Sequence, residues 1–275
     1  MDSAKKQKYY PKPWWFYKHQ QKKRERARIQ QEGDNYESHN ISKQSRFPVN
    51  ESKKDTLLYR DDADITVVDV KGHVALRCNE WNEMDFDERL LQNIKNCEFM
   101  WPRKIQEAVI PYIIEGYDIK CQSETGTGKT AAYLIPIIDK LIKEKSTNGL
   151  PNEGPICVIL APTREITEQI FQNARKLAYR TGISIAKAYG EIPIKDNLKQ
   201  LTKGCNILCA CIGRLLNLMK HDHQEWDDLL MLDMKYLVID EADYFLTGPE
   251  TKDILTFLEH TRLPPVDYNI YFFKY

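Results

Sequence analysis

Ser123-Glu124-Thr125-Gly126-Thr127-Gly128-Lys129-Thr130 follows an apolar-alternating run, residues 117–122, and opens a helix-like segment, residues 129–145. A strand, a glycine-containing turn and a helix N-terminus together make a phosphate cradle. Backbone N–H groups of such a turn point into one concavity, and the helix dipole favours an anion there. From this place Lys129 can reach β/γ-phosphates, and the Thr130 hydroxyl is set to ligate Mg²⁺. The strict form of the pattern has glycine where Ser123 stands. A partner about 110 residues downstream strengthens the reading: Leu237-Val238-Ile239-Asp240-Glu241 is a buried-strand run ending in two carboxylates. Metal binding and water activation both require such groups. The two motifs together point to a nucleoside triphosphate.

With 275 residues the chain has room for one or two domains, and 42% hydrophobic residues can supply a sizeable core. The formal net charge is zero, yet residues 1–30 hold ten Lys/Arg against Asp2 and Glu25. Gross charge therefore gives no polyanion signature, and any nucleic-acid surface must be local. No apolar signal core or membrane-length window is present, so no membrane partner is expected. Seven cysteines without framework spacing fit reduced thiols in the cytoplasm, with the nucleus also open. Cys205, Cys209 and Cys211 lack CxxC pairing with one another or with His221 and His223. Buried strand thiols are a better reading there than a zinc site.

Residues 1–64 are rich in Lys, Arg, Gln, Ser, Asn and Asp without apolar periodicity, and a disordered arm is expected. Within it, Tyr9-Tyr10-Pro11-Lys12-Pro13-Trp14-Trp15-Phe16-Tyr17 stands near Lys22-Lys23-Arg24. Stacking and phosphate attraction suit single-stranded RNA. A docking motif for a protein partner, or a tail with no partner, remain alternatives.

From residue 65 the pattern is that of one folded unit, 65–275. Strands are expected at 156–161, 183–189, 206–212, 235–240 and 269–273, and helices at 165–180, 194–203, 214–220 and 249–260. In the first of these helices Ile166, Ile170, Phe171, Ala174, Leu177 and Ala178 recur on one face. Such alternation predicts an α/β fold: a parallel sheet with helices on both faces. Both chemical motifs then sit at C-terminal strand ends, where open α/β sheets bind ligands.

Asp240-Glu241-Ala242-Asp243 makes the likeness specific: the chain resembles the DEAD-box RNA helicase family over roughly residues 66–275. Phe99, Pro102, Ile105 and Gln106, with Trp81 upstream, resemble the family's adenine-reading motif. The resemblance implies that Phe99 stacks on the base and Gln106 bonds its edge. One amide offers the donor and acceptor this requires; Trp81 stands where the family usually has Phe. Pro162-Thr163-Arg164-Glu165 resembles the first RNA-contact motif. Tyr189-Gly190 resembles a double-glycine turn with Glu191 in place of the second glycine. Cys211-Ile212-Gly213-Arg214 is similar to a Thr-Pro-Gly-Arg motif lacking the Thr and the Pro. At strand ends and helix starts these groups can hold phosphates without reading bases, whereas Arg164 and Arg214 could instead cap or bridge helices. Ile65-Thr66-Val67 and Thr130-Ala131-Ala132-Tyr133-Leu134-Ile135-Pro136 resemble the Vasa and Ded1 branch.

The resemblance implies a RecA-like P-loop NTPase domain with ATP and Mg²⁺ as cofactors. It makes Ser123 to Thr130 the nucleotide loop, Lys129 the phosphate-neutralising cation, and Thr130 with Asp240 the metal ligands. Glu241 then positions or deprotonates water, and Asp243 couples the nucleotide state to a Ser-Ala-Thr motif. RNA, single-stranded or duplex, is engaged through its backbone by Pro162, Thr163, Arg164, Gly190, Gly213 and Arg214. After residues 269–273 the sequence reads Lys274-Tyr275 where the family continues into Ser-Ala-Thr and a second RecA-like domain. An arginine finger from such a domain is worth about 10³–10⁵ in rate, so slow turnover is expected of these residues alone. A non-catalytic ATP- or RNA-binding module that competes for partners is the alternative. A GTPase is a third reading, opposed by the Phe99 and Gln106 pair.

Overall fold

The computed structural model describes residues 78–150, 154–201, 203–219, 231, 233–259 and 268–274. The aromatic arm, Ile65-Thr66-Val67, the boundary expected at 64/65, His221, His223 and Tyr275 lie outside these residues. A turn of 3₁₀ helix (Trp81–Met84) leads into α1 (Glu88–Asn96) and α2 (Lys104–Ile114). Strand and helix then alternate: β1 (Ile119–Gln122), α3 (Lys129–Asn148), β2 (Cys157–Leu160), α4 (Arg164–Leu177), β3 (Ile185–Ala188) and α5 (Ile194–Leu201). There follow β4 (Ile207–Ala210), α6 (Ile212–Leu218), β5 (Tyr236–Ile239), α7 (Ala242–Thr247), α8 (Thr251–Leu258) and β6 (Asn269–Lys274).

All strand pairs are parallel, in the order β1-β6-β5-β2-β4-β3. Every residue of β2, β4 and β5 is buried, the mark of strands covered on both faces. Their side chains alternate between two cores. Cys157, Ile159, Ile207, Cys209 and Val238 join helices α1–α4. Val158, Leu160, Leu208, Ala210, Leu237 and Ile239 join α5–α8. This period of two produces three layers, helices on each side of one sheet.

Local chemistry sets the element ends. Asp87 caps α1 by accepting the Arg89 N–H, and its own N–H donates to Asp139 Oδ1 of α3 at 2.8 Å. Thr163 caps α4 by accepting the Ile166 N–H at 3.3 Å. That helix stops at Leu177, short of the expected 180, because Arg180 takes φ 57° and Gly182 φ 80°. The helix expected over 249–260 is preceded by a separate short α7. Gly248 divides α7 from α8: a Cβ there would stand 2.3 Å from the Tyr244 carbonyl oxygen.

Candidate functional site

Since the sheet is parallel, the loops after β1 and β5 emerge at one edge, with β6 between them. The β6 carbonyl of Lys274 accepts the Ser123 N–H at 3.1 Å and lies 3.4 Å from Lys129 Nζ. The sheet order thus brings two motifs distant in sequence to neighbouring places.

Within the phosphate loop Gly126 and Gly128 take φ 81° and 95°, left-handed conformations that favour glycine. Gly128 has a second reason to lack a side chain, as a Cβ would stand 2.6 Å from Gln106 Nε2. Ser123 Oγ and Thr127 Oγ1 share a hydrogen bond at 2.7 Å, and Thr127 Oγ1 also donates to the Glu124 carbonyl at 3.0 Å. Ser123 therefore contributes a cross-loop bond that glycine could not. Glu124, Thr125 and Gly126 are exposed at the tip. Lys129 Nζ donates to the carbonyls of Ser123 and Glu124, inside the concavity. The first turn of α3 adds N–H groups without intrahelical acceptors, so the cradle suits a polyanion.

Of the adenine-motif residues, Gln106 meets this loop directly. Gln106 is buried; its Oε1 accepts the Arg103 N–H at 2.9 Å and its Nε2 donates to the Gly128 carbonyl at 3.1 Å. Reading a base edge therefore means exchanging these bonds. Arg103, which the sequence reading passed over, donates through Nη1 to the Gly126 carbonyl. Trp81 makes its hydrogen bond away from the loop. It is buried in the core, and its Nε1–H donates to the Phe99 carbonyl at 2.9 Å, fixing the turn that carries the half-buried Phe99. Glu98 in that turn takes φ 61°. A groove between α1 and α4 backs onto Phe99 but includes no residue of the phosphate loop.

Asp240 follows β5 and is buried. Its Oδ1 accepts the Glu241 N–H at 3.0 Å, and its Oδ2 accepts the Tyr133 hydroxyl at 2.8 Å. Burial raises the Asp240 pKa, opposed by the Tyr133 bond, the Glu241 N–H and the Lys129 charge. Glu241, at φ 50°, immediately precedes α7 without a side-chain capping bond to it. Its pKa is also raised, first by burial, then by Asp240 and Asp243, with Lys129 opposing. Such a carboxylate is better disposed to accept a proton. Asp243 is exposed in the first turn of α7.

Tyr133 is a participant that the sequence reading missed. Its phenol is fully buried, and its pKa is pushed well up by burial and by Asp240, with a Thr130 hydrogen bond acting oppositely. The phenol thus bonds one expected metal ligand, Asp240, and feels the other, Thr130, one turn back on the same helix. The detectable signal was a tyrosine within an otherwise apolar helix face, since a buried hydroxyl needs a partner. One hydroxyl and one carboxylate form a sparse, hard-oxygen donor set. That set fits Mg²⁺, which keeps waters and takes phosphate oxygens rather than a full protein cage. Among the described residues no group of three or more His, Cys, Asp or Glu is placed to hold a metal ion. Cys205 and Cys209 are buried thiols with raised pKa values, burial being the leading cause.

The RNA-motif residues occupy the other half of the same edge, after β2, β3 and β4. Pro162 and Thr163 precede α4, and Thr167 Oγ1 on its first turn bonds both the Thr163 carbonyl and, at 3.3 Å, Cys211 Sγ. This links the first and third motifs. Gly190 and Gly213 have no atom within 4 Å of a built Cβ. Gly213 and Arg214 lie inside α6, which starts at Ile212 rather than at 214. Arg214 Nη1 donates to the Ile192 carbonyl at 2.6 Å and to Asn197 Oδ1 at 3.3 Å. Arg164 forms an ion pair with Glu191.

Among the described residues no helix is long and apolar enough to cross a membrane. The family model for DEAD/DEAH box helicase matches residues 103–273. ATP-dependent RNA helicase glh-3 of Caenorhabditis elegans is 35% identical over 204 residues, covering 71% of this chain and 28% of that protein. A probable ATP-dependent RNA helicase ddx3 of Dictyostelium discoideum is 32% identical over 207 residues, with the same two coverages. The chain spans about a quarter of the length of these curated relatives. The crystal structure of a DEAD box protein from the hyperthermophile Methanococcus jannaschii superposes with a TM-score of 0.63 at 31% identity, covering 72% of this chain and 50% of that one. With its motifs in order on a RecA-like sheet, the chain belongs to the DEAD/DEAH box helicase family.

Proposed function

We propose that this chain contributes the ATP-binding and RNA-contacting first domain of an ATP-dependent RNA helicase. The observation that carries the reading is the convergence on the loop 123–130 of distant segments: Gln106 bonds the Gly128 carbonyl, the β6 carbonyl of Lys274 lies 3.4 Å from Lys129 Nζ, and the Lys129 charge acts on the Asp240 carboxyl at the end of β5.

In this reading Lys129 turns from the loop carbonyls to neutralise β/γ-phosphate charge. Gln106 exchanges its loop bonds for the adenine edge, while Phe99 lies against the ring, its turn held by Trp81. Thr130 and Asp240 hold Mg²⁺, which when bound offsets charge on the phosphate oxygens. Glu241 orients the attacking water and takes its proton, a task its raised pKa suits. Positioning and electrostatics of this kind dominate phosphoryl transfer. Asp243, exposed at the sheet edge, transmits nucleotide state to a Ser-Ala-Thr motif in the intact family arrangement. Pro162, Thr163, Arg164, Gly190, Gly213 and Arg214 form the RNA face, contacting backbone rather than bases. The aromatic arm adds RNA or protein contacts, and the setting is cytoplasmic.

Strand separation and fast turnover belong to the intact two-domain arrangement, to which these residues contribute the nucleotide site and one side of the RNA cleft. RNA-stimulated ATP hydrolysis by the purified chain tests the reading. Weak hydrolysis that Lys129→Ala abolishes supports it; hydrolysis unaffected by that substitution overturns it. A non-catalytic ATP- or RNA-binding module is the second reading, favoured by the Arg164–Glu191 pair. Nucleotide binding with no RNA-dependent turnover in any context would select it.

A further inference from the structure

Arg164, Lys187 and Arg214, the cations placed around the loops after β2, β3 and β4, are each engaged by the protein itself. Lys187 Nζ donates to Glu168 Oε2 at 2.6 Å and lies over the Phe171 ring. Tyr189 donates to the same carboxylate oxygen at 2.9 Å. Arg214 is spent on the Ile192 carbonyl and on Asn197, which steady the loop between β3 and α5. These two cations are partly buried and built into the domain. The Arg164–Glu191 pair differs, since its side chains are 44% and 76% exposed. Glu165, beside Arg164, adds another exposed carboxylate.

Glu191 also holds an unusual backbone state. Its φ is 74°, a left-handed conformation that favours glycine. A charged side chain kept on such a backbone, and aimed at an arginine of the RNA face, has a functional reading. A guanidinium binds a carboxylate and a phosphate through the same donors. The two ligands therefore compete for the Nη1 donors of Arg164.

We propose that Glu191 is an internal stand-in for an RNA phosphate, which RNA must displace from Arg164 in order to dock. The proposal rests on the reading of these loops as an RNA face. Arg164 is then partly masked, and RNA affinity is set below what the arginine alone would give. Exposed ion pairs are weak, so the masking amounts to about two- to fivefold in affinity. Because the displaced arginine still pairs with the phosphate once RNA has docked, the masking lowers affinity and leaves the salt slope, about 0.7 per phosphate neutralised on a single strand, nearly unchanged.

The test is a fluorescence-anisotropy titration of the full chain with a labelled single-stranded oligouridylate across a salt series. Glu191→Gln keeps the side-chain shape and removes the charge; Glu191→Gly also relaxes the backbone. Both are expected to tighten binding about two- to fivefold with little change in the salt slope. The gain is expected to vanish when Arg164→Ala is added. If Arg164→Ala weakens binding but both Glu191 variants bind like the parent, the masking is overturned while the RNA face stands. If the gain survives in the Arg164→Ala background, Glu191 acts through general charge and the proposal fails. If Arg164→Ala leaves the parent's binding unchanged, the RNA face itself is wrong, and the proposal falls with it.

Discussion

The Tyr133 hydroxyl donates to Asp240 Oδ2 at 2.8 Å across 107 residues of sequence, inside the layer between α3 and the sheet. It pins one oxygen of the expected metal ligand while the Glu241 N–H pins the other. Tyr133→Phe leaves Oδ2 buried without its donor, a loss of about 1–3 kcal/mol. Lower stability in urea denaturation and weaker Mg²⁺ dependence of nucleotide binding are expected together. Unchanged Mg²⁺ dependence would show that the phenol serves packing alone.

Asp240 and Glu241 both have pKa values raised primarily by burial. A carboxyl with a folded pKa above its unfolded value binds its proton more tightly when folded. Its contribution to stability is therefore largest at low pH and is lost as pH rises from the ordinary carboxylate range toward the folded value. Asp87 and Glu168 are shifted the other way by Arg89 and Lys187, so Asp240 must be isolated by difference. Asp240→Asn can keep both partners through its amide. It is expected to be more stable than the parent at neutral pH and to lose that advantage on acidification. The same variant should bind nucleotide without Mg²⁺ stimulation. A stability gain that grows on acidification contradicts the assignment.

Gly128→Ala places a Cβ 2.6 Å from Gln106 Nε2, on a backbone at φ 95°. The left-handed strain costs about 1–2 kcal/mol, and Gln106 must abandon the loop. Nucleotide affinity is expected to fall about tenfold or more, a change of roughly 1.4 kcal/mol per tenfold, while circular dichroism stays that of the parent. Full affinity in this variant would remove Gln106 from the site.

Trp81→Phe deletes the N–H bonded to the Phe99 carbonyl at 2.9 Å but keeps a ring in the core. The expected outcome is a stability loss of about 1 kcal/mol with only a few-fold weaker nucleotide binding, seen by calorimetry. Loss as severe as that of Phe99→Ala would mean that Trp81 touches the base directly.

The sheet was legible because the central strands are apolar on both faces and glycine-containing turns punctuate them. Residues 156–161, 206–212 and 235–240 contain β2, β4 and β5, trimmed at their ends. Helices α1 and α2 escaped the reading, since their residues drew attention as motif positions rather than as periodic faces. The strand-end location of the cradle and of Asp240 was also legible. Which polar atoms meet was not. Tyr133 with Asp240, Arg103 with Gly126, and Trp81 with the Phe99 carbonyl are pairings set by the packing of separate elements, which local pattern does not encode. Glu191 was visible as a departure from glycine, but its positive φ and its ion pair required the fold.

Titration of the chain with a fluorescent ATP analogue in Mg²⁺, with unlabelled ATP and GTP as competitors, tests the nucleotide site most directly. Saturable binding that ATP displaces far better than GTP, lost in Lys129→Ala and weakened in Gln106→Ala, is the expected result. Equal displacement by GTP with Gln106→Ala unaffected, or Lys129→Ala binding as tightly as the parent, would contradict the assignment of Ser123 to Thr130 as an ATP cradle.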